Sequence, residues 1–283
     1  MIDLKYRLIA FDMDGTVLDD KKQMPEVCAE ALFAAADRGC YIVPATGRMY
    51  SGLPKQLNDS RVRYCILING ALVFDAKEEK ILYEANISSE KGAGFCRWLD
   101  SLPVLYDCYI DNEGFMQADM YDRAEPYFES SRNMYRYVMN TRTKVDCLAD
   151  FMEKGQRPVQ KMQIYFCPHQ EDLRQELMVK IPELYPEFTA TSSLPNNIEI
   201  NSCNAGKDKG LKALCSALGI GIEETIAFGD GSNDFEIIKA AGLGVAMSNA
   251  EEHVKTAADA IAKSNNEAGL ALFIDELIAT GQI

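Results

Sequence analysis

Short apolar runs bounded by turn residues recur along this chain, separated by stretches with the spacing of helices. Residues 7–12, Tyr41-Ile42-Val43 and Tyr64-Cys65-Ile66-Leu67-Ile68 are the first three runs. A run of this length without polar alternation reads as a strand covered on both faces. Between the first two, Pro25 opens a helix predicted to reach about Arg38, with Gly39 just past its end. Helix-like sequence also follows Ala45-Thr46-Gly47-Arg48 to about Leu57. Strand alternating with helix predicts right-handed βαβ units and a parallel sheet.

The rhythm then changes. Residues 71–83 read as a β-hairpin around Ala76-Lys77-Glu78-Glu79, and residues 84–200 are richer in Tyr, Met, Arg and Pro. This stretch predicts helices near 89–100 and 170–180, a strand at 159–166 and a hairpin turn at Asp111-Asn112-Glu113-Gly114. After about residue 200 the βα pattern returns: helix 208–218, strand 225–229, helix 233–240, strand 243–246, helix 250–257, strand 259–262 and a last helix near 266–279. The expected fold is α/β, with a discontinuous parallel-sheet core and an α+β middle third inserted into it.

A length of 283 residues suits two domains, and 47% apolar with 25% charged residues is ordinary globular composition. The net charge of −14 argues against nucleic acid and anionic membranes as partners. It tolerates a small anionic substrate only where a metal and local cations invert the field. Nine cysteines without a Cys-x-x-Cys pair fit neither a zinc site nor a disulfide framework. With no signal-peptide pattern and no run of membrane-spanning length, a cytoplasmic location is expected. Only His169 and His253 are present, neither in a motif, so Ser-His-Asp and Cys-His catalysis is not expected.

The chemistry gathers at two strand ends. Asp12 and Asp14 follow Leu8-Ile9-Ala10-Phe11, and Asp230 and Asp234 follow Thr225-Ile226-Ala227-Phe228. In open parallel sheets, ligands bind at the carboxyl ends of strands. One such cluster could be a turn or a helix cap. Two together favour a metal and phosphate site, because converging carboxylates repel unless a hard cation such as Mg²⁺ lies between them. Asp12 is the candidate nucleophile, and Asp14 is placed to act on the leaving group. Thr46 can bind a phosphoryl oxygen through its hydroxyl, with the Gly47 amide as a second donor. Lys207 and Lys209 open a helix with Leu211, Leu214 and Leu218 on its apolar face. Either could meet the phosphate, or both could be a solvated pair. Asp230 would hold the metal, and Asp234 would be a further ligand or an orienter of its neighbours.

These residues, in this order, resemble the haloacid dehalogenase superfamily of phosphohydrolases, in its Cof-type branch. Phe11–Thr16 is similar to the first motif, Ala45–Arg48 to the second and Gly229–Asp234 to the fourth. Asn69-Gly70-Ala71 is similar to the family's sequence before the cap, and Gly242–Asn249 to its stretch after the fourth motif. The resemblance implies a Rossmann-like core at 1–83 and 201–283 and a C2-type α+β cap at 84–200. It implies Asp12 as nucleophile, Asp14 as general acid and base, and Met13, Thr46, Gly47, Lys207 and Asn233 on the phosphate. It also implies Mg²⁺ on Asp12, Asp14 (through its backbone carbonyl) and Asp230. The family usually has Lys-Gly at its third motif, whereas here Asp208 follows Lys207 and Gly210 follows Lys209. An ungapped count from Leu214, Leu218 and Gly219-Ile220 favours Lys207, with Lys209 the alternative.

The expected activity is Mg²⁺-dependent hydrolysis of small phosphate monoesters, sugar phosphates foremost, through an aspartyl-phosphate. A phosphomutase or phosphotransferase and a non-catalytic phospho-ligand sensor are the alternatives. Specificity is expected from cap residues, with Tyr121, Asp122, Arg123 and Arg48 as polar candidates. The expected partner is a small phosphorylated metabolite, with the protein a monomer or weak homodimer.

Overall fold

Leu8–Phe11 form β1, and all four residues are buried, as a strand covered on both faces requires. The computed structural model describes residues 4–129 and 132–283. After β1 come helix α1 (Glu26–Ala36), β2 (Tyr41–Pro44) and β3 (Tyr64–Leu67). The helix expected between β2 and β3 is not formed. Two 3-10 turns, Tyr50–Gly52 and Lys55–Leu57, stand there instead. Gly52 weakens helix, and Pro54 both lacks an N–H and drives Leu53 into extended backbone. β4 (Leu72–Asp75) and β5 (Lys80–Glu84) then form the expected hairpin and pair antiparallel beside β3.

Residues Ala85–Asn204 form one compact unit, and Met1–Glu84 with Ala205–Ile283 form the other. The inserted unit contains α2 (Ser89–Leu99), β6 (Leu105–Ile110), β7 (Glu113–Gln117), α3 (Ala118–Asp122), α4 (Arg132–Thr141) and β8 (Arg142–Val145). It continues through α5 (Leu148–Gly155), β9 (Lys161–Tyr165), α6 (Glu171–Leu184), β10 (Phe188–Thr191) and β11 (Asn197–Ser202). Its sheet runs β10-β11-β9-β6-β7-β8. Asp111 and Asn112, both with positive φ, make the tight β6–β7 turn. One sheet face is apolar: Tyr106, Cys108, Met162, Ile164 and Ile198 join Phe95 and Leu99 of α2 and Met152 of α5 in a single core. The other face is polar yet equally buried. There Asp107 stands opposite Gln163, and Gln163 opposite Glu199. Arg142 Nε donates to Asp107 Oδ2 at 2.7 Å, with both side chains fully buried.

The chain returns with α7 (Lys207–Leu218), β12 (Thr225–Gly229), α8 (Phe235–Ala240), β13 (Leu243–Met247), α9 (Glu252–Ala257), β14 (Ala260–Ala262) and α10 (Gly269–Ala279). These strands complete a parallel sheet in the order β14-β13-β12-β1-β2. β3 extends it through a single parallel bridge between Ala45 and Ile66. Leu211, Leu214 and Cys215 of α7 pack onto Leu8, Ala10, Val43 and Ala227 of the sheet. No helix among the described residues is long and apolar enough to cross a membrane.

The Asp107–Arg142 pair yields a stability test, because removing one partner of a buried ion pair strands the other charge. Arg142→Met should destabilise the inserted unit by about 3–5 kcal/mol, and adding Asp107→Leu should recover most of that loss. Urea unfolding read by fluorescence of Trp98, the only tryptophan and a residue of α2, checks this. A loss for Arg142→Met below about 1 kcal/mol, the value of an exposed pair, would contradict it.

Candidate active site

Parallel register brings the functional segments together. Phe11 of β1 lies level with Phe228 of β12 and Pro44 of β2. The next residues therefore leave the sheet side by side. Asp12 N donates to Phe228 O at 3.0 Å, and Ala45 N to Phe11 O at 2.8 Å. Asp12 is thus fixed at the carboxyl end of β1, with Thr46 beyond β2 and Asp230 beyond β12.

A lysine joins them from α7. Lys207, Leu211 and Leu214 fall at i, i+4 and i+7 on the buried face of that helix, so the apolar anchors carry Lys207 inward. Its Nζ donates to Asp12 Oδ1 and Asp234 Oδ1, each at 2.6 Å, and its side chain is 1% exposed. Lys209 lies on the exposed part of the helix. Asp208 pairs with Lys212 one turn on, at 2.9 Å. Of the two lysines left open by the sequence, Lys207 is the one in the carboxylate cluster.

Asp234 supports its neighbours. Its Oδ1 takes the lysine, and its Oδ2 accepts from the backbone amides of Asp230 and Gly231, each at 3.1 Å. Thr16 Oγ1 donates to Asp230 Oδ1 at 2.8 Å. Gly15 turns here with φ 87°, and a Cβ at this position would collide with the Asp230 carboxylate. Met13 is buried, and its carbonyl accepts from Leu18 N at 2.9 Å, closing the loop after β1.

Asp12, Asp230 and Asp234 present oxygens within 4.8 Å of one another. Three carboxylates face one ammonium, which leaves an excess of negative charge. Burial pushes the Asp12 carboxyl up to about 8; Lys207 opposes this, and Asp234 and Asp230 add to it. Burial, then Asp234, pushes Asp230 up to about 6. Burial pulls the Lys207 ammonium down, but Asp12 and Asp234 outweigh it and hold it above its usual range. Carboxylates that resist ionisation at this density suit a hard divalent cation, which takes oxygen ligands and cancels the surplus charge. The donor set fits Mg²⁺.

Asp14 sits differently. Arg48 grips it through both oxygens, Nε to Oδ2 at 2.8 Å and Nη2 to Oδ1 at 2.7 Å, and Lys22 Nζ lies 2.9 Å from Oδ1. Burial would raise this carboxyl, but Arg48 and then Lys22 hold it below the ordinary range. Arg48, one of the polar residues expected to touch a leaving group, is engaged with Asp14 here. Tyr121, Asp122 and Arg123 belong to the inserted unit, where Tyr121 donates to Met139 O, Asp122 pairs with Lys144 and Arg123 with Asp119.

Thr46 is buried, and its Oγ1 accepts from Arg48 N at 3.2 Å; Gly47, between them, is half-buried. Asn233 reaches Asn69, donating from Nδ2 to Oδ1 at 3.3 Å. Ile68, Asn69 and Gly70 all have positive φ, at 55°, 57° and 82°. For a β-branched residue such as Ile68 this backbone costs roughly 1–3 kcal/mol. Ile68 N and Asn69 N donate to the carbonyls of Arg48 and Thr46, at 3.1 and 3.0 Å, so the turn braces the loop after β2. Asn69-Gly70 stands out in the sequence, but its role at the site does not. The Asn-Gly pair was the available signal, since both residues tolerate left-handed backbone. Asn249, at the end of the Gly242–Asn249 stretch, also has a role at the site: its Nδ2 donates to Gly15 O at 2.8 Å and steadies the first acidic loop.

The family model for haloacid dehalogenase-like hydrolases matches residues 9–274. The phosphatase YwpJ of Bacillus subtilis is 29% identical over 287 residues, covering 96% of this chain and 100% of the relative. A second relative from that organism, the 5-amino-6-(5-phospho-D-ribitylamino)uracil phosphatase YcsE, is 28% identical over 274 residues, covering 95% of this chain and 94% of its own. A solved haloacid dehalogenase-like hydrolase from Bacteroides thetaiotaomicron has a TM-score of 0.80 at 27% identity, over 96% of this chain and 100% of that one. With the acidic strand ends, the inward lysine and a family match over nearly the whole length, the chain belongs to the haloacid dehalogenase-like hydrolases and is an enzyme of their phosphatase type.

Proposed function

We propose that this enzyme hydrolyses phosphate monoesters of small metabolites, sugar and polyol phosphates foremost, through an aspartyl-phosphate on Asp12. The observation that carries the reading is the Lys207 ammonium held between Asp12 and Asp234 at the end of the parallel sheet. An ammonium at this point neutralises the nucleophile's surroundings and offers N–H donors to a phosphoryl group arriving at Asp12. The activity for which YcsE is named, on a phosphorylated ribityl compound, supports the substrate class.

A carboxylate oxygen of Asp12 attacks phosphorus, and the bond to the ester oxygen breaks. The departing oxygen takes a proton from Asp14 and leaves as an alcohol. Water then attacks the acyl-phosphate, gives a proton to Asp14 and releases inorganic phosphate, restoring the Asp12 carboxylate. Thr46 Oγ1, Asn233 Nδ2, Lys207 Nζ and the backbone at Met13 and Gly47 hold the phosphoryl oxygens. Asp12, Asp230 and the Asp14 carbonyl would hold Mg²⁺, with Asp234 orienting Asp230 and Lys207; when bound, the ion neutralises charge on phosphate and carboxylates. The Arg48 fork favours the carboxylate form of Asp14, the form that takes a proton from water. Protonating the leaving oxygen therefore requires Arg48 to loosen its grip on Asp14.

A panel of sugar phosphates, nucleotides and cofactor phosphates, offered to metal-stripped protein with and without added Mg²⁺, tests the reading. Turnover should appear only with the metal and be highest on sugar or polyol phosphates. Protons compete with the cation for Asp12 and Asp230, whose carboxyls are raised to about 8 and about 6. The Mg²⁺ concentration for half-maximal rate should therefore rise as the pH is lowered from 8 towards 6. Full activity in EDTA, or a Mg²⁺ requirement that falls on acidification, would contradict the assignment.

Substitution of the two lysines separates the inward from the exposed position. Lys207→Ala should lower kcat/KM by on the order of 10²-fold or more, as loss of a preorganised charge contact does, and Lys209→Ala by less than about threefold. Equal mild losses would remove Lys207 from the site.

A further inference from the structure

We infer that Asn69 is a positioning residue for phosphate capture, acting through the side-chain amide of Asn233. The inference rests on the phosphatase reading above and concerns a residue outside the proposed catalytic and phosphate-binding set.

Asn69 is 7% exposed and lies in the left-handed turn Ile68–Gly70. Each residue of that turn meets a different part of the phosphate side of the site. Ile68 N and Asn69 N hold the carbonyls of Arg48 and Thr46. Gly70 runs so close to Gly206 and Lys207 that a Cβ there would overlap the Gly206 carbonyl. The Asn69 side chain reaches the fourth segment, accepting from Asn233 Nδ2 at 3.3 Å.

That bond has a directional consequence. An asparagine side chain presents either an acceptor oxygen or a two-proton donor, and nothing in its shape decides which. An acceptor placed on Nδ2 decides it, because one N–H of Asn233 is used and the other is turned outward from Asn69. Without Asn69 Oδ1, the Asn233 amide can rotate and present its oxygen to an incoming phosphate, which repels it. The position needs left-handed backbone together with a neutral acceptor. Asparagine supplies both, whereas aspartate would add negative charge beside a bound anion.

A double-mutant cycle on the Mg²⁺-loaded full-length enzyme, with inorganic phosphate as competitive inhibitor, tests the inference. Asn69→Gly keeps the left-handed backbone and removes only the side chain. It should raise the phosphate inhibition constant by roughly five- to tenfold, the effect of one neutral hydrogen bond, and by the same factor whichever substrate is used. In the Asn233→Ala background the same change should alter the constant by less than about twofold, because the residue it acts through is gone. Asn69→Ala adds backbone strain, so it should lower Tm more than Asn69→Gly while raising the phosphate constant equally. Multiplying factors in the double variant, or a loss of Tm without any change in phosphate binding, would overturn the inference and leave the phosphatase reading intact. A wild-type enzyme that neither turns over phosphate monoesters nor binds phosphate would overturn both.

Discussion

The ammonium of Lys207, buried between Asp12 and Asp234, is what lets three carboxylates converge at the ends of β1 and β12. Burying an isolated charge is prohibitive, and burying several of one sign more so. Lys207 enters because α7 places it on the same face as Leu211 and Leu214, which anchor the helix against the sheet. Hydrophobic packing thus positions the charge, and the charge makes the acidic cluster tolerable. One ammonium is still insufficient for three carboxylates, and burial first, then the neighbouring carboxylates, shift Asp12 and Asp230 upward. The same deficit is what a divalent cation would fill.

The second constraint is the parallel sheet. Asp12, Thr46 and Asp230 are far apart in sequence, yet strands in register deliver them to one edge. Loops beyond those ends hold the finer geometry. Thr16 and Asn249 fix the first acidic loop, Asp234 gathers the backbone of the last one, and the strained turn at Ile68–Gly70 braces the loop after β2. Strain in a buried left-handed isoleucine persists only where surrounding contacts over-determine it, as the amides of Ile68 and Asn69 do here.

Much of this was legible in the residues. The uninterrupted apolar runs before Asp12 and Asp230 made buried strands the expected reading, and the carboxylates at their ends made the site expected there. The choice between Lys207 and Lys209 was also implicit in the helical spacing of the leucines. Other features were hidden for physical reasons. Arg48 is a long, flexible side chain, and only the fold shows that it reaches Asp14. The segment 48–57 has helix-compatible residues, but Gly52 and Pro54 outweigh them. In the inserted unit, Asp107, Gln163 and Glu199 interrupt the apolar pattern of strands that are nonetheless fully buried, because the two charges are paired and the Gln163 amide is hydrogen-bonded. Periodicity alone cannot distinguish such strands from half-exposed ones.

The proposed chemistry makes Asp12 the nucleophile that carries the phosphoryl group, with Lys207, Thr46, Asn233 and the metal arranged around it. It is tested most directly by rapid acid quench of a single turnover with a ³²P-labelled sugar phosphate, followed by peptide mapping of the labelled protein. Transient, acid-stable but base-labile label is expected on Asp12 alone and is expected to be absent from Asp12→Asn protein that remains folded. Label on another residue, or turnover in which no phosphoprotein forms while Asp12→Asn stays active, would contradict it.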